Sequence, residues 1–382
     1  MAAGELPEAF PKGYQAFYIM KYELTQEAYA DFLNTLNQGQ QDGRVQGVLA
    51  NIAKGRHIWD GGTNSLAPWR NYIEVSQRAP TVMFGVDANN NDVWNETIIV
   101  EKQLGNDVDS CAMGIDGQDL AVNFVSMYDL LAYADFAGLR PMTELEYEKA
   151  CRGDRPVVND EYAWGTVTMT YANKSHHVGA TNWFNYNQTS ILDINTGNEK
   201  MPDDYNCGAV HGGTHEHHWW YGWRSHTYSA PLRVGCFADS TSTRAAAGAT
   251  YWGVMNMSDN CSELCISVGN TSAVGPGRDF VGVHGDGQLL ADGNADVKGW
   301  AMVTTPAYYI PRGMVFPSAV WSGWGYGNHD TYTHGDATVG QVLVAGMVSS
   351  RYFVNHGVVG TTREYAGFMS GIRCVRTASA EK

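Results

Sequence analysis

The chain has 382 residues, 44% apolar and only 17% charged, with a formal net charge of −15. That balance supports a large core and excludes intrinsic disorder. An acidic chain with no basic cluster excludes a phosphate-backbone partner, hence nucleic acid, and no apolar run reaches the roughly 18 residues of a membrane span.

Met1 to Pro11 lacks a basic region followed by an apolar stretch, so it does not read as a secretory signal. Residues 1–16 read as an N-terminal extension. Phe17 to Thr25 (FYIMKYELT) reads as a strand, and Thr25 then caps a helix in which Tyr29, Phe32, Leu33 and Leu36 recur at helical spacing. From Asn37 to Asp119, short apolar runs such as Thr97 to Val100 alternate with turn clusters, which predicts strands and long loops. Ala121 to Val125 reads as a short strand. Ser126 and Asp129 then form a capping-box pattern for a helix ended by Gly138. Leu139 to Thr143 reads as a turn, and Glu144 to Arg152 as a second helix closed by Gly153. The 43 glycines imply many turns and irregular loops. No linker and no repeat divides the chain. Strand-like runs at both ends suit one domain over residues 1–382 whose termini pair.

The seven cysteines (Cys111, Cys151, Cys207, Cys236, Cys261, Cys265 and Cys374) are odd in number and scattered, so buried free thiols are expected rather than a disulfide framework. Cys261 and Cys265 alone make a poor zinc signal.

Four segments, in order, resemble the formylglycine-generating (sulfatase-modifying) family. They are Phe17 to Thr25 with its following helix, Ala121 to Gly153 with its G-L-R-x-x-T-E-x-E-x-E-x-A-x-R-G-like run, Gly253 to Leu264 (GVMNMSDNCSEL), and Gly371 to Arg376 (GIRCVR). The second is the distinctive one. The resemblance implies an α+β, C-type-lectin-like fold with short twisted sheets, two main helices and many irregular loops. Gln41 to Gln118 and Thr181 to Ala230 are long insertions for that family and resemble versions found in large bacterial surface proteins. Glu144, Glu146 and Glu148 suit the helix start, and Arg140 reads as a buried or half-buried fork organising loop carbonyls and carboxylates.

Active members of that family use copper and two nearby cysteines after a strand that matches Pro311 to Ser318. Soft thiolates are what Cu(I) requires. Here no cysteine lies between Arg312 and Ile372, and Cys374 reads as core. No copper is expected, and since the lectin-like domain reads as beginning at Phe17, neither is the extra N-terminal helical domain of the iron-dependent sulfoxide synthases. The resemblance places calcium in the segment matching Gly253 to Leu264, with Asn260 and Glu263 at its Asn and Glu positions. Hard oxygen ligands suit that ion, although Asn256 replaces the family's Asp and Asp259 its Gly. A hydrogen-bonded turn is the alternative. Asp286, Asp292, Asn294 and Asp296 sit in a glycine-rich loop, where the D-x-N-x-D spacing of the last three is calcium-loop-like but short of a full set and reads better as a solvated turn. His215, Glu216, His217 and His218 are the densest ligand-type cluster, yet without a clear third ligand they read as an exposed aromatic-polar loop.

Ala319 to Asp336 (AVWSGWGYGNHDTYTHGD) lacks any helical or strand period. Rigid aromatics beside small adaptable residues are what ligand-binding loops use. Within residues 319–370 the candidate ligand-binding residues are Trp321, Trp324, Tyr326, Asn328, His329, Asp330, Tyr332, His334, Tyr352, Asn355 and His356. The resemblance also extends to phage and bacterial proteins diversified by retroelements just before the terminal strand. The reading is a non-catalytic binding or display protein for a protein or glycan ligand, at a cell surface, secreted or on a virion. A diverged metal-dependent oxidase and a structural subunit of a surface or virion assembly are the alternatives.

Overall fold

In a computed structural model, residues 6–59, 71–88, 91–104, 107–114, 116–167, 233–235, 242–268, 276–300, 309–312 and 370–379 are described, together with Pro231, Ala238 and Val348. They form an α+β arrangement of short helices and small sheets.

Local chemistry sets the helices. Thr25 Oγ1 accepts from Ala28 N at the start of α1 (Gln26–Thr35). Asn37 and Gln40 box a short α2 (Gln38–Asp42), an element the sequence reading left within loops. At α3 (Met127–Phe136), Ser126 and Asp129 satisfy each other's amides, and at α4 (Glu144–Arg152) Thr143 and Glu146 do the same. Each box satisfies two amides that a helix start would otherwise leave unbonded. Gly153 ends α4 at φ 70°, and a Cβ there would lie 2.2 Å from Tyr251 Cδ1. Both the conformation and the close ring require glycine.

The chain ends meet. β1 (Phe17–Ile19) and β10 (Cys374–Thr377) pair antiparallel, with Phe17 opposite Thr377, and β10 also pairs with β6 (Arg140–Pro141). β6 lies where the sequence predicts only a turn. Two residues are enough there because Arg140 is held from both sides: Glu146 takes Nη1 and Nη2 at 2.8 and 2.6 Å, and Thr377 Oγ1 takes Nε at 2.9 Å. The expected strand Ala121–Val125 is instead an extended run interrupted at Phe124 (φ 61°), bonded piecemeal to Thr25, Leu24 and Ser370. Likewise the predicted strand Phe17–Thr25 keeps regular pairing only to Ile19. Beyond it the chain trades partners, Met20 N reaching Cys374 O and Leu24 N reaching Ile372 O.

A second sheet has β7 (Ser262–Ile266) between β8 (Tyr309–Arg312), antiparallel, and β9 (Ser370–Gly371), parallel. Ile372 and Arg373, both fully buried, carry the chain from β9 to β10 and so tie the two sheets together. The long insertion supplies two hairpins, β2 (Ile73–Gln77) with β3 (Met83–Val86), and β4 (Thr97–Leu104) with β5 (Asp107–Gly114). The core joins α1 (Tyr29, Phe32, Leu33), α3 (Leu130, Ala134), the β2–β3 hairpin (Ile73, Val75, Phe84) and Leu264, Ile266, Ile372 and Cys374. The N-terminal extension is docked rather than free: Phe10 is buried edge-on to Phe280, and Pro11 O accepts from Thr143 Oγ1 at 2.8 Å.

Candidate functional site

Where the two sheets are tied, the chain buries an unusual set of charges. Glu23 comes from the run after β1, Asn256, Asp259, Asn260 and Cys261 from the loop before β7, Glu263 from β7, and Arg373 from the crossover; all are at most 2% exposed. The loop is bent by two left-handed residues, Asn256 (φ 58°) and Asn260 (φ 63°), a conformation that asparagine tolerates better than most side chains. Asn256 Oδ1 accepts from Gly235 N at 2.7 Å while its Nδ2 donates to Asp259 Oδ1 at 3.0 Å. The two departures from the family pattern thus answer each other: an Asn in place of Asp meets an Asp in place of Gly.

Glu23 accepts from Asn260 Nδ2 at 2.5 Å and from Cys261 N at 2.8 Å. Arg373 gives Nε to Glu263 Oε1 at 3.0 Å, Nη1 to Met20 O and Nη2 to Met255 O, both at 2.8 Å. Arg373 thus pairs with Glu263 and acts on Glu23, while Asp259 adds a third carboxyl whose charge acts on both glutamates. Burial, reinforced by the Glu263 and Asp259 charges, pushes the Glu23 carboxyl well above the usual range. Burial also raises Glu263, against the opposing pull of Arg373. Glu263 Oε2 is buried without a hydrogen-bond partner. An excess of buried carboxylate with an open oxygen lone pair calls for protons or a hard cation. Asn260 and Glu263, singled out from the sequence, do come together here. The sequence reading missed Glu23 and Arg373. An acidic residue inside FYIMKYELT, and the first of the two arginines of GIRCVR, were the available signals.

The other candidates fare differently. Asp292 bonds Asn294 N and Nδ2 at 3.0 and 2.8 Å, and Asn294 Oδ1 is taken by Arg44, so Asp292, Asn294 and Asp296 do not converge on one point. Asp135 instead gathers Asp286 and Asp296, with carboxylate oxygens within 4.8 Å of one another. Its own oxygens accept the amides of Asp286 and Asp296 at 3.0 and 3.1 Å, which anchors the loop onto α3. Arg140 and Glu146 form the expected buried fork, and Glu144 holds Ser267 Oγ and Val268 N. Cys151, Cys261, Cys265 and Cys374 are buried, and burial pushes the Cys374 thiol up to about 12. Residues 321–334 and 352–356 and the cluster His215 to His218 lie outside the described residues. No helix among the described residues is long and apolar enough to cross a membrane.

The model of the sulfatase-modifying factor enzyme 1-like domain matches residues 7–297. The chain belongs to that family. The match takes in Phe17 to Thr25, Ala121 to Gly153 and Gly253 to Leu264, three of the four segments that carry the resemblance of this sulfatase-modifying-factor-type chain, while Gly371 to Arg376 lies beyond it. No curated protein matches the chain.

Proposed function

We propose that this chain is a non-catalytic ligand-binding or display protein on the C-type-lectin-like scaffold of the formylglycine-generating family, organised as one domain over residues 1–382. The carrying observation is the family's copper chemistry set against these residues: no cysteine lies between Arg312 and Ile372, and Cys374 packs in the core with Leu130 and Ile372. Family membership does not by itself confer activity. The ligand, a protein or a glycan, meets the loops that carry Trp321, Trp324, Tyr326 and Tyr332, where flat rings beside glycine supply stacking area. Asn328 to His334, Asn355 and His356 are the positions at which retroelement diversification would act, and a surface, secreted or virion setting suits such a role. Calcium supports the scaffold, with Glu23, Asp259, Asn260 and Glu263 as its oxygen donors; it neutralises their excess charge and takes no part in a reaction.

Elemental analysis of the purified protein before and after chelation, combined with thermal melts, tests this. About one calcium per chain, with a melting point that falls on chelation, is the expected result. Stoichiometric copper, iron or zinc would overturn it in favour of a diverged metal-dependent oxidase, with His215, His217 and His218 the first residues to substitute. Binding is tested by screening protein and glycan arrays with the wild type and a Trp321→Ala/Trp324→Ala variant. The reading requires a ligand that the variant loses while its melting point holds.

A further inference from the structure

A second surface, using none of the C-terminal loop residues and independent of their proposed role, carries the chemistry of a binding site. Thr250 Oγ1 accepts from Trp252 N and Val254 N at 3.2 and 3.0 Å, and Gly253 N returns to Thr250 O. This tight turn presents Tyr251 and Trp252 together. Tyr251 N is tied to Cys151 O at 3.1 Å, and its ring lies in the space left by Gly153. Trp252 meets that ring edge-on, centroids 4.8 Å apart and planes at 87°, and stays 59% exposed. Two guanidiniums flank the same tyrosine, Arg155 at 5.3 Å and Arg244 at 5.8 Å from its centroid.

Arg244 is fixed rather than trailing: Nε bonds Ala249 O at 3.3 Å, and Nη2 bonds Ala163 O at 2.8 Å and Cys151 O at 3.4 Å. These acceptors are neutral carbonyls. Glu161, the acid that acts on Arg244, is engaged by Arg152 at 3.0 Å. Among the described residues, neither Arg155 nor Arg244 has a carboxylate partner. Partial burial and the neighbouring Arg155 charge both work against the charge on Arg244, a cost that a bound anion would relieve. In a chain of net charge −15, two guanidiniums with no carboxylate partner among the described residues, set against the Tyr251 ring on which the exposed indole packs, stand out. A planar fork matches a carboxylate or sulfate, and an exposed indole fixed in orientation suits the apolar face of a pyranose.

We propose that Arg155, Arg244, Tyr251 and Trp252 form a binding site for an acidic sugar of a glycan, its anionic group at the guanidiniums and its ring on Trp252. The test is isothermal titration of the full chain with tetragalacturonate, with a chondroitin sulfate tetrasaccharide and with a neutral galactotetraose. At least one acidic probe should bind at least tenfold tighter than the neutral one, weakening as salt rises. Binding of tetragalacturonate identifies carboxylate as the anchor; binding of the sulfated probe alone identifies sulfate. Arg155→Ala and Trp252→Ala remove exposed side chains, so the fold should hold, and each should weaken binding about tenfold, with Arg155→Lys recovering part of the loss. Three results would overturn the proposal: no acidic probe binding at millimolar concentration, equal binding of the neutral sugar, or unchanged affinity in both variants. Tighter binding of a tetraglutamate peptide than of either acidic sugar would overturn it too.

Discussion

Glutamine at position 263 removes a charge that the fold buries but nearly preserves the side chain's shape, so it isolates the electrostatics of the Glu23–Asp259–Glu263–Arg373 network. In an unfolded chain a glutamate titrates near about 4.3. Folding raises Glu263, which reaches about 8, and raises Glu23 as well, burial being the first cause in both. Between the unfolded and folded values the folded state holds a proton that the unfolded state has released. The stabilisation is therefore complete below the unfolded value and is lost as pH rises through the folded one. For one proton the slope approaches about 1.4 kcal/mol per pH. In chelated protein, the stability of wild type minus that of Glu263→Gln should fall with that slope as pH goes from about 5 to about 8. Urea denaturation followed by fluorescence at several pH values, with m-values compared, reads this directly. Calcium reverses the sign, since it binds the ionised carboxylates: at saturating calcium the wild type should gain stability over the variant as pH rises. A difference that stays flat with pH in chelated protein would refute the reasoning, and would mean that Arg373 alone balances the network.

Other perturbations probe the frame around it. Glu146→Ala strands Arg140, which is 1% exposed, and breaking a buried pair from one side should cost about 3–5 kcal/mol in urea denaturation. Asp129→Ala does the same to Arg44, which reaches Asp129 Oδ1 at 3.0 Å, and also removes half of the α3 capping box, so its loss should be at least as large by the same assay. Thr143→Ala, which removes the α4 cap and the tie to Pro11 O, should cost roughly 1–2 kcal/mol. Gly153→Ala sets a methyl against Tyr251 at a positive φ. It should lower stability by about 1–3 kcal/mol and, on the acidic-sugar proposal, weaken binding of the acidic tetrasaccharide in titration.

Much of the fold is local in origin and therefore readable in the chain. Thr25, Ser126 and Thr143 announce three helices because a hydroxyl placed before an apolar or acidic turn satisfies its own helix's amides, and Gly138 and Gly153 end two of them at positive φ. The opening run Phe17 to Thr25 and the terminal run Gly371 to Arg376 read as strand-like from their apolar residues, yet regular pairing holds only over Phe17–Ile19 at the start, and the terminal run is divided between β9 and β10. The resemblance carried by Ala121 to Gly153 and Gly253 to Leu264 points to the family that the domain match then shows. Asn260 and Glu263 were named from that resemblance alone. What the sequence does not carry is partnership across distance. Nothing local says that Leu139–Thr143 contains a strand, because β6 exists only through its pairing with β10 and the Arg140 clamp on Glu146 and Thr377. Nothing says that Asp296 joins Asp135 rather than Asp292. The tertiary structure alone decides that Glu23 and Arg373, about as far apart as two residues in this chain can be, meet around Asn260 and Glu263. A buried carboxylate has to be answered by whatever charge the fold brings to it, and that answer is set by the crossing of the two sheets rather than by any neighbouring residue.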